Sequence, residues 1–161
     1  MITAVVGAPG SGKSTVALPL ASILSTHAVL DWDALMVPAS ALAGREIRRH
    51  PETWPAYRQL VHAALDAMAA LPVVLLSGCT PDELQGWPIT FWALLDCADQ
   101  ELRRRLSRQG RPESVAEAVH DAQEYRALGL PAIDTTGHSS EEVAAELAQL
   151  VRRLERAQPD R

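Results

Sequence analysis

One lysine and two cysteines are all that this chain of 161 residues holds of those types. Cys79 and Cys97 are too few for a disulfide framework and read as buried thiols in a reducing compartment. Long hydrophobic runs are missing too. No stretch approaches the ~20 apolar residues needed to cross a bilayer. Met1 leads into an apolar segment, Ile2–Val6, too short for a secretory leader. Excess positive charge is also absent: 15 Lys and Arg stand against 20 Asp and Glu, a net −5. That balance sets aside non-specific nucleic-acid binding as the main activity. A cytoplasmic protein is expected, with neither nucleic acid nor membrane among its partners.

Apolar residues make up 47% of the chain, enough for one core, and a single domain over 1–161 is expected. The cations other than lysine are 14 arginines. In a chain so biased toward arginine, the position of Lys13 carries information.

Proline and glycine punctuate an alternation of short apolar runs and helical patterns. Ile2–Val6, Ala28–Asp31, Val73–Leu76, Thr90–Leu95 and Ala132–Asp134 read as strands. The unbroken apolar character of the longer runs suits strands covered on both faces. Helices are expected over Lys13–Leu24 (with Pro19 inside), Ala34–Ala43, Arg45–Arg49, Trp54–Leu71, Asp99–Gln109 and Glu113–Leu128. A last helix follows the Ser139/Glu142 capping box. The polar tail after Arg156 is expected to fray. Alternating strands and helices imply right-handed crossovers, and so a parallel sheet with helices on both faces. Ligands bind such sheets at the carboxyl ends of the strands.

Gly7-Ala8-Pro9-Gly10-Ser11-Gly12-Lys13-Ser14 stands where the first strand meets the first helix. It fits Gly, four residues, Gly-Lys-Ser/Thr, the pattern of a loop that cradles phosphates. Glycines let the backbone wrap a phosphate with its N–H groups turned inward, and the helix N-terminus adds its positive end. Lys13 reaches the β- and γ-phosphates and Ser14 ligates Mg²⁺. A chance match in a chain this long has a probability on the order of 1%, and the only lysine fills the required position. Residues Gly7 to Thr15, including Thr15 itself, are therefore expected to bind Mg-ATP.

Asp31-Trp32-Asp33 closes the second strand. Two carboxylates two residues apart in extended chain point the same way. One would hold a Mg²⁺-bound water and the other would orient or deprotonate an attacking hydroxyl. Alternatively, Asp33 merely caps the helix at Ala34. No acidic residue follows the third strand, which ends Ser77-Gly78-Cys79.

The phosphate loop, the Asp-x-Asp and the arginine-rich segment Leu102–Pro112 together resemble a small P-loop kinase of the nucleoside monophosphate kinase fold, the group of shikimate kinase, gluconate kinase and chloramphenicol phosphotransferase. The resemblance implies a five-stranded parallel sheet and an arginine-rich lid at about 103–115. It places Mg²⁺ organisation on Asp31 and the acceptor hydroxyl on Asp33. It brings Arg105 toward the adenine, Arg108 and Arg111 toward the phosphates, and the Ile133–Gly137 loop, with Thr135, beside the base. The insert at about 35–71 is where this family binds its acceptor. Arg45 and Arg49 there suit an anionic group on the substrate, Trp32, Trp54 and Tyr57 would offer flat walls, and the loop from Gly78 would line the site.

The expected activity is transfer of the γ-phosphoryl of ATP to a hydroxyl of a metabolite or antibiotic. A nucleoside monophosphate kinase is the alternative within enzymes, and a nucleotide-binding regulatory module the alternative outside them.

Overall fold

The computed structural model describes residues 1–157, so the tail expected to fray falls almost wholly outside it, as does the end of the expected 1–161 span. Five strands, β1 (Ile2–Val6), β2 (Ala28–Asp31), β3 (Val73–Ser77), β4 (Phe91–Asp96) and β5 (Ala132–Asp134), form one sheet in the order β2-β3-β1-β4-β5. Every pairing is parallel. All residues of β1 and β3 are buried, which is why these runs are apolar without alternation.

Among the described residues six α-helices cover the sheet: α1 (Lys13–Ile23), α2 (Trp32–Ala43), α3 (Trp54–Ala67), α4 (Asp99–Arg108), α5 (Val115–Ala127) and α6 (Ser140–Arg156). Successive residues of a strand point to opposite faces. Val74 and Leu76 thus join Val16, Leu20, Leu147 and Val151 in a core beneath α1 and α6. Val73 and Leu75 join Trp32, Met36, Tyr57, Val61 and Leu65 beneath α2 and α3. A third cluster packs α4 and α5 on β4 through Leu94, Leu102, Ala122 and Tyr125. Helix α1 continues through Pro19, and α6 opens on the expected capping box, with the Ser139 side chain accepting from the Glu142 N–H and Glu142 closing back on Ser139. Among the described residues no helix is long and apolar enough to cross a membrane.

Several elements differ from the sequence reading, and α3 ends at Ala67 rather than Leu71. Helix α2 begins at Trp32 rather than Ala34, directly after β2. The stretch expected as helix over Arg45–Arg49 is a single tight turn, Ile47–Arg49. Trp32 and Tyr57 are buried in the core, at 1% and 2% exposure, and offer no wall to a ligand. The Tyr57 hydroxyl donates to the Trp32 carbonyl, and the two rings meet edge to face at 5.4 Å.

Strand β1 lies at the centre. The chain runs from it to the edge at β2, returns to β3, and then crosses to β4 and β5. The carboxyl end of β1 therefore opens where the two halves of the sheet part, the place such folds use for ligands. Arg126 of α5 fixes the far side of this opening. Its Nε donates to Asp96 Oδ2 at 2.8 Å, its Nη1 to Asp99 Oδ1 at 2.8 Å and its Nη2 to the Cys97 carbonyl at 2.7 Å. One guanidinium thus ties α5 to the end of β4 and to the start of α4.

Candidate active site

The loop Gly7–Gly12 leaves β1 and wraps over the N-terminus of α1. Its tightness explains two of its glycines. A Cβ on Gly7 would lie 2.6 Å from Ser11 Oγ and 2.7 Å from the Leu95 carbonyl oxygen, so a side chain there meets backbone that cannot yield. Gly10 has φ +85°, a left-handed conformation that L side chains rarely adopt, and it sits against Leu102 and Leu106 of α4. Lys13 is buried, and its Nζ donates to the carbonyls of Gly7 and Ala8. Burial lowers the lysine pKa below its ordinary value, while the nearby Asp33 and Asp31 act in the opposite direction.

The loop forms one side of a cavity of about 590 Å³. Ala8 to Thr15 line it, with Asp33 and Arg48 at one end. At the other end stand Glu101, Arg104, Arg105, Gln109 and Arg111, with Thr135 and the start of α6 at His138–Ser140. The structure thus brings the phosphate-loop residues, Asp33, Arg105, Arg111 and Thr135 around one space.

Several expected residues lie elsewhere. Arg108 is exposed and is not among the residues lining the cavity. Arg45 pairs with Glu52 at 3.1 Å and Arg49 with Glu46 at 3.1 Å, both on the surface away from the cavity walls. Arg48 occupies the place given to them, because the tight turn Ile47–Arg49 sends consecutive side chains in different directions. Gly78 also stays off the cavity lining, and its carbonyl accepts from the Tyr125 hydroxyl.

Of the two aspartates at the end of β2, it is Asp31 and not Asp33 that caps the next helix. Asp31 is the N-cap of α2, its Oδ1 accepting from the N–H of Asp33 at 2.9 Å and of Ala34 at 3.3 Å. Asp33 is not the cap. It stands in the first helical turn, and its Oδ1 accepts from Arg48 Nη2 at 2.9 Å. Because the helix starts at Trp32, the extended-chain argument for parallel carboxylates does not apply.

Arg105 is the most connected side chain of the site. Its Nε donates to Glu101 Oε1 at 2.9 Å, its Nη1 to the Gly10 carbonyl at 3.2 Å and to Thr135 Oγ1 at 3.2 Å, and its Nη2 to the Thr135 carbonyl at 2.6 Å. It therefore joins α4, the phosphate loop and the loop after β5. Glu101 also accepts from Arg104, and these two arginines hold its carboxyl down to about 2. A carboxyl whose folded pKa is depressed stabilises the fold fully above its free value and loses that contribution as it protonates. Wild type is therefore expected to exceed Glu101→Gln in stability by a constant margin above pH 4.5, the margin shrinking as pH falls toward 2. Urea denaturation of both proteins across that range reads the difference.

Glu101, Arg48 and Arg104 are cavity residues that the sequence reading did not select. The Glu101–Arg105 spacing of four on a helix was a legible signal for the first.

Comparison with known proteins agrees with this geometry. Residues 4–126 match the family described as the AAA domain. The chain is 34% identical over 137 residues to a shikimate kinase of Corynebacterium glutamicum, covering 79% of this chain and 76% of that protein. Among solved structures, shikimate kinase from Acinetobacter baumannii in complex with shikimate superposes with a TM-score of 0.65 at 20% identity, over 94% of this chain and 93% of that one. The tunicamycin resistance protein of Deinococcus radiodurans gives 0.69 at 21% identity, over 93% and 94%. Family match, kinase relative and a phosphate loop at the end of the central strand converge, and the chain belongs to the AAA-domain family and, with that shikimate kinase, to the P-loop kinases.

Proposed function

We propose that the protein transfers the γ-phosphoryl group of ATP to a hydroxyl of a small molecule. The observation that carries this reading is the shared cavity: the phosphate loop with Lys13 and the carboxylate of Asp33 line one space.

The triphosphate lies over the loop, where backbone N–H groups and the N-terminus of α1 face it. Lys13 turns from the loop carbonyls to the β- and γ-phosphates. The Ser14 hydroxyl and the second oxygen of Asp31, through a water, would hold Mg²⁺. Among the described residues no three His, Cys, Asp or Glu side chains gather into a metal site, so this donor set fits an ion that arrives on the nucleotide. Mg²⁺ bound there supplies neutralisation of charge on the β- and γ-phosphates. Arg111 faces the triphosphate from the end of α4, and Arg105 borders the base beside Thr135.

Asp33 orients the acceptor hydroxyl and takes its proton. The acceptor oxygen forms a bond to the γ-phosphorus while the bond from that phosphorus to the β,γ-bridging oxygen breaks, its electron pair leaving with ADP. Arg48 holds Asp33 in place, and α2 holds the turn from which Asp33 projects through the Asp31 cap.

The 34% identity to a shikimate kinase and the resemblance of the fold to other kinases support this reading. Measuring ADP release over a panel of polyols, acidic metabolites, antibiotics and nucleoside monophosphates tests it, with ATP binding titrated separately. Turnover that rises with a hydroxyl-bearing acceptor is expected. Turnover with nucleoside monophosphates alone makes the protein a nucleoside monophosphate kinase. ATP binding with no stimulation by any acceptor leaves a regulatory module.

A further inference from the structure

Two loops that leave different strands border the cavity. The phosphate loop follows β1 and the loop carrying Thr135 follows β5, and both contribute to the cavity lining. Each loop is held by its own contacts. In the first, the Ser11 N–H donates to the Ala8 carbonyl at 3.0 Å, and Gly10 rests on Leu102 and Leu106 of α4. In the second, the Thr135 N–H donates to the Asp96 carbonyl at 2.9 Å and the Thr136 N–H to Asp134 Oδ1 at 2.8 Å. These contacts fix the shape of each loop without tying one loop to the other.

Arg105 bonds to both. Its Nη1 lies 3.2 Å from the Gly10 carbonyl oxygen, 3.4 Å from that of Ser11 and 3.2 Å from Thr135 Oγ1. Its Nη2 donates to the Thr135 carbonyl at 2.6 Å, and its Nε to Glu101 Oε1 at 2.9 Å. A guanidinium has five N–H groups in a rigid fork. One on Nε, both on Nη1 and one on Nη2 are directed at protein acceptors. One planar group therefore spans the two loops, anchored from α4 by Glu101.

We infer that Arg105 is a positioning residue of the nucleotide site, which sets the phosphate loop at a fixed distance from the loop after β5 by bonding to those loops and not to the nucleotide. The inference rests on the placement of ATP proposed above, with the triphosphate on the phosphate loop and the base beside Thr135. A ligand that reaches two subsites gains from their fixed spacing, because binding of one end brings the other to its place. A fragment that fills one subsite gains nothing from it.

The test titrates the full-length wild type and Arg105→Lys with Mg-ATP, Mg-tripolyphosphate and adenosine, the weak fragments by competition with a fluorescent ATP analogue. Lysine keeps the positive charge and removes the fork. Arg105→Lys is expected to weaken ATP about tenfold and to leave tripolyphosphate and adenosine within about twofold of wild type, since only the linked ligand uses the spacing. Equal weakening of ATP and tripolyphosphate makes Arg105 a phosphate ligand, and equal weakening of ATP and adenosine makes it a base ligand. Either result overturns the inference, as does wild-type affinity for ATP. Thr135→Val removes one acceptor of the same guanidinium and leaves Arg105 in place. It is expected to weaken ATP about threefold, and the double variant to be no weaker than Arg105→Lys alone, because both changes break one bridge. Losses that multiply in the double variant overturn the inference. If Arg105→Lys lowers the melting temperature, Thr135→Val carries the test by itself: ATP weakened with both fragments unchanged supports the bridge, and a fragment weakened as much as ATP overturns it. A wild type that binds neither ATP nor tripolyphosphate is a different failure, that of the nucleotide reading, and takes the inference with it.

Discussion

Lys13→Met leaves a folded protein that turns over about 10³-fold more slowly, since removing one preorganised positive partner of the transition state costs about 4 kcal/mol. Methionine keeps the aliphatic stem, so the packing where Lys13 is buried survives. The ammonium is what disappears. In the wild type that ammonium is desolvated, held by the Gly7 and Ala8 carbonyls, and its pKa is lowered by burial. A base with a lowered folded pKa gives the unfolded chain the larger proton count between the two values, so stability rises with pH toward 10.5. Lys13→Met lacks that rise, and its melting temperature near neutral pH is expected to equal or exceed the wild type's. Loss of ATP affinity by calorimetry, with intact melting and circular dichroism, is the combined signature. Wild-type turnover in the variant would sink the central role of the loop. Lys13→Arg is expected to fail nearly as badly. A planar guanidinium does not replace a compact ammonium at a buried point between two phosphates. Arginine fills every other Lys/Arg position of this chain, and Lys13 is where that replacement is expected to fail.

The parts of this site that are legible in the sequence are those encoded locally. Strand, loop and helix from Ile2 to Ile23 are one continuous pattern, and each residue of the loop acts within a few positions of its neighbours. The five strands are legible for the same reason, since double burial leaves unbroken apolar runs. Asp31 and Asp33 were harder. No spacer separates β2 from α2, and a helix starting at Trp32 rather than Ala34 puts the cap on Asp31 while Asp33, expected at the acceptor, lines the cavity. Arg48 was missed in favour of Arg45 and Arg49 because the direction of a side chain in a one-turn segment depends on its exact winding, which composition does not encode. Trp32 and Tyr57 looked like ligand walls because an aromatic side chain suits a core and a pocket equally. The bonds of Arg105 join residues 95, 94 and 30 positions apart, and only the sheet order brings those segments together.

Asp33→Asn separates the two kinase readings more sharply than any other single change. Asparagine keeps the size of the side chain and an oxygen that still accepts from Arg48, so the 2.9 Å contact between α2 and the turn at Ile47–Arg49 has a replacement. Stability is expected to change little. What is lost is the negative charge and the capacity to take a proton. A hydroxyl acceptor must shed its proton during transfer, and a positioned carboxylate contributes about 10²- to 10⁴-fold to such a step. Phosphoryl transfer passes through a loose transition state that makes limited demands on the nucleophile, which places the expected loss in kcat/KM near the lower end, about 10²-fold. The KM for ATP is expected to stay within about twofold, because in the proposed arrangement the loop, not α2, grips the triphosphate. A phosphate acceptor is already ionised and asks nothing of a base. If the protein is a nucleoside monophosphate kinase, Asp33→Asn should turn over at close to the wild-type rate with its monophosphate. Steady-state kinetics of the variant with the true acceptor, varied against ATP in turn, therefore reads the chemistry of the acceptor atom.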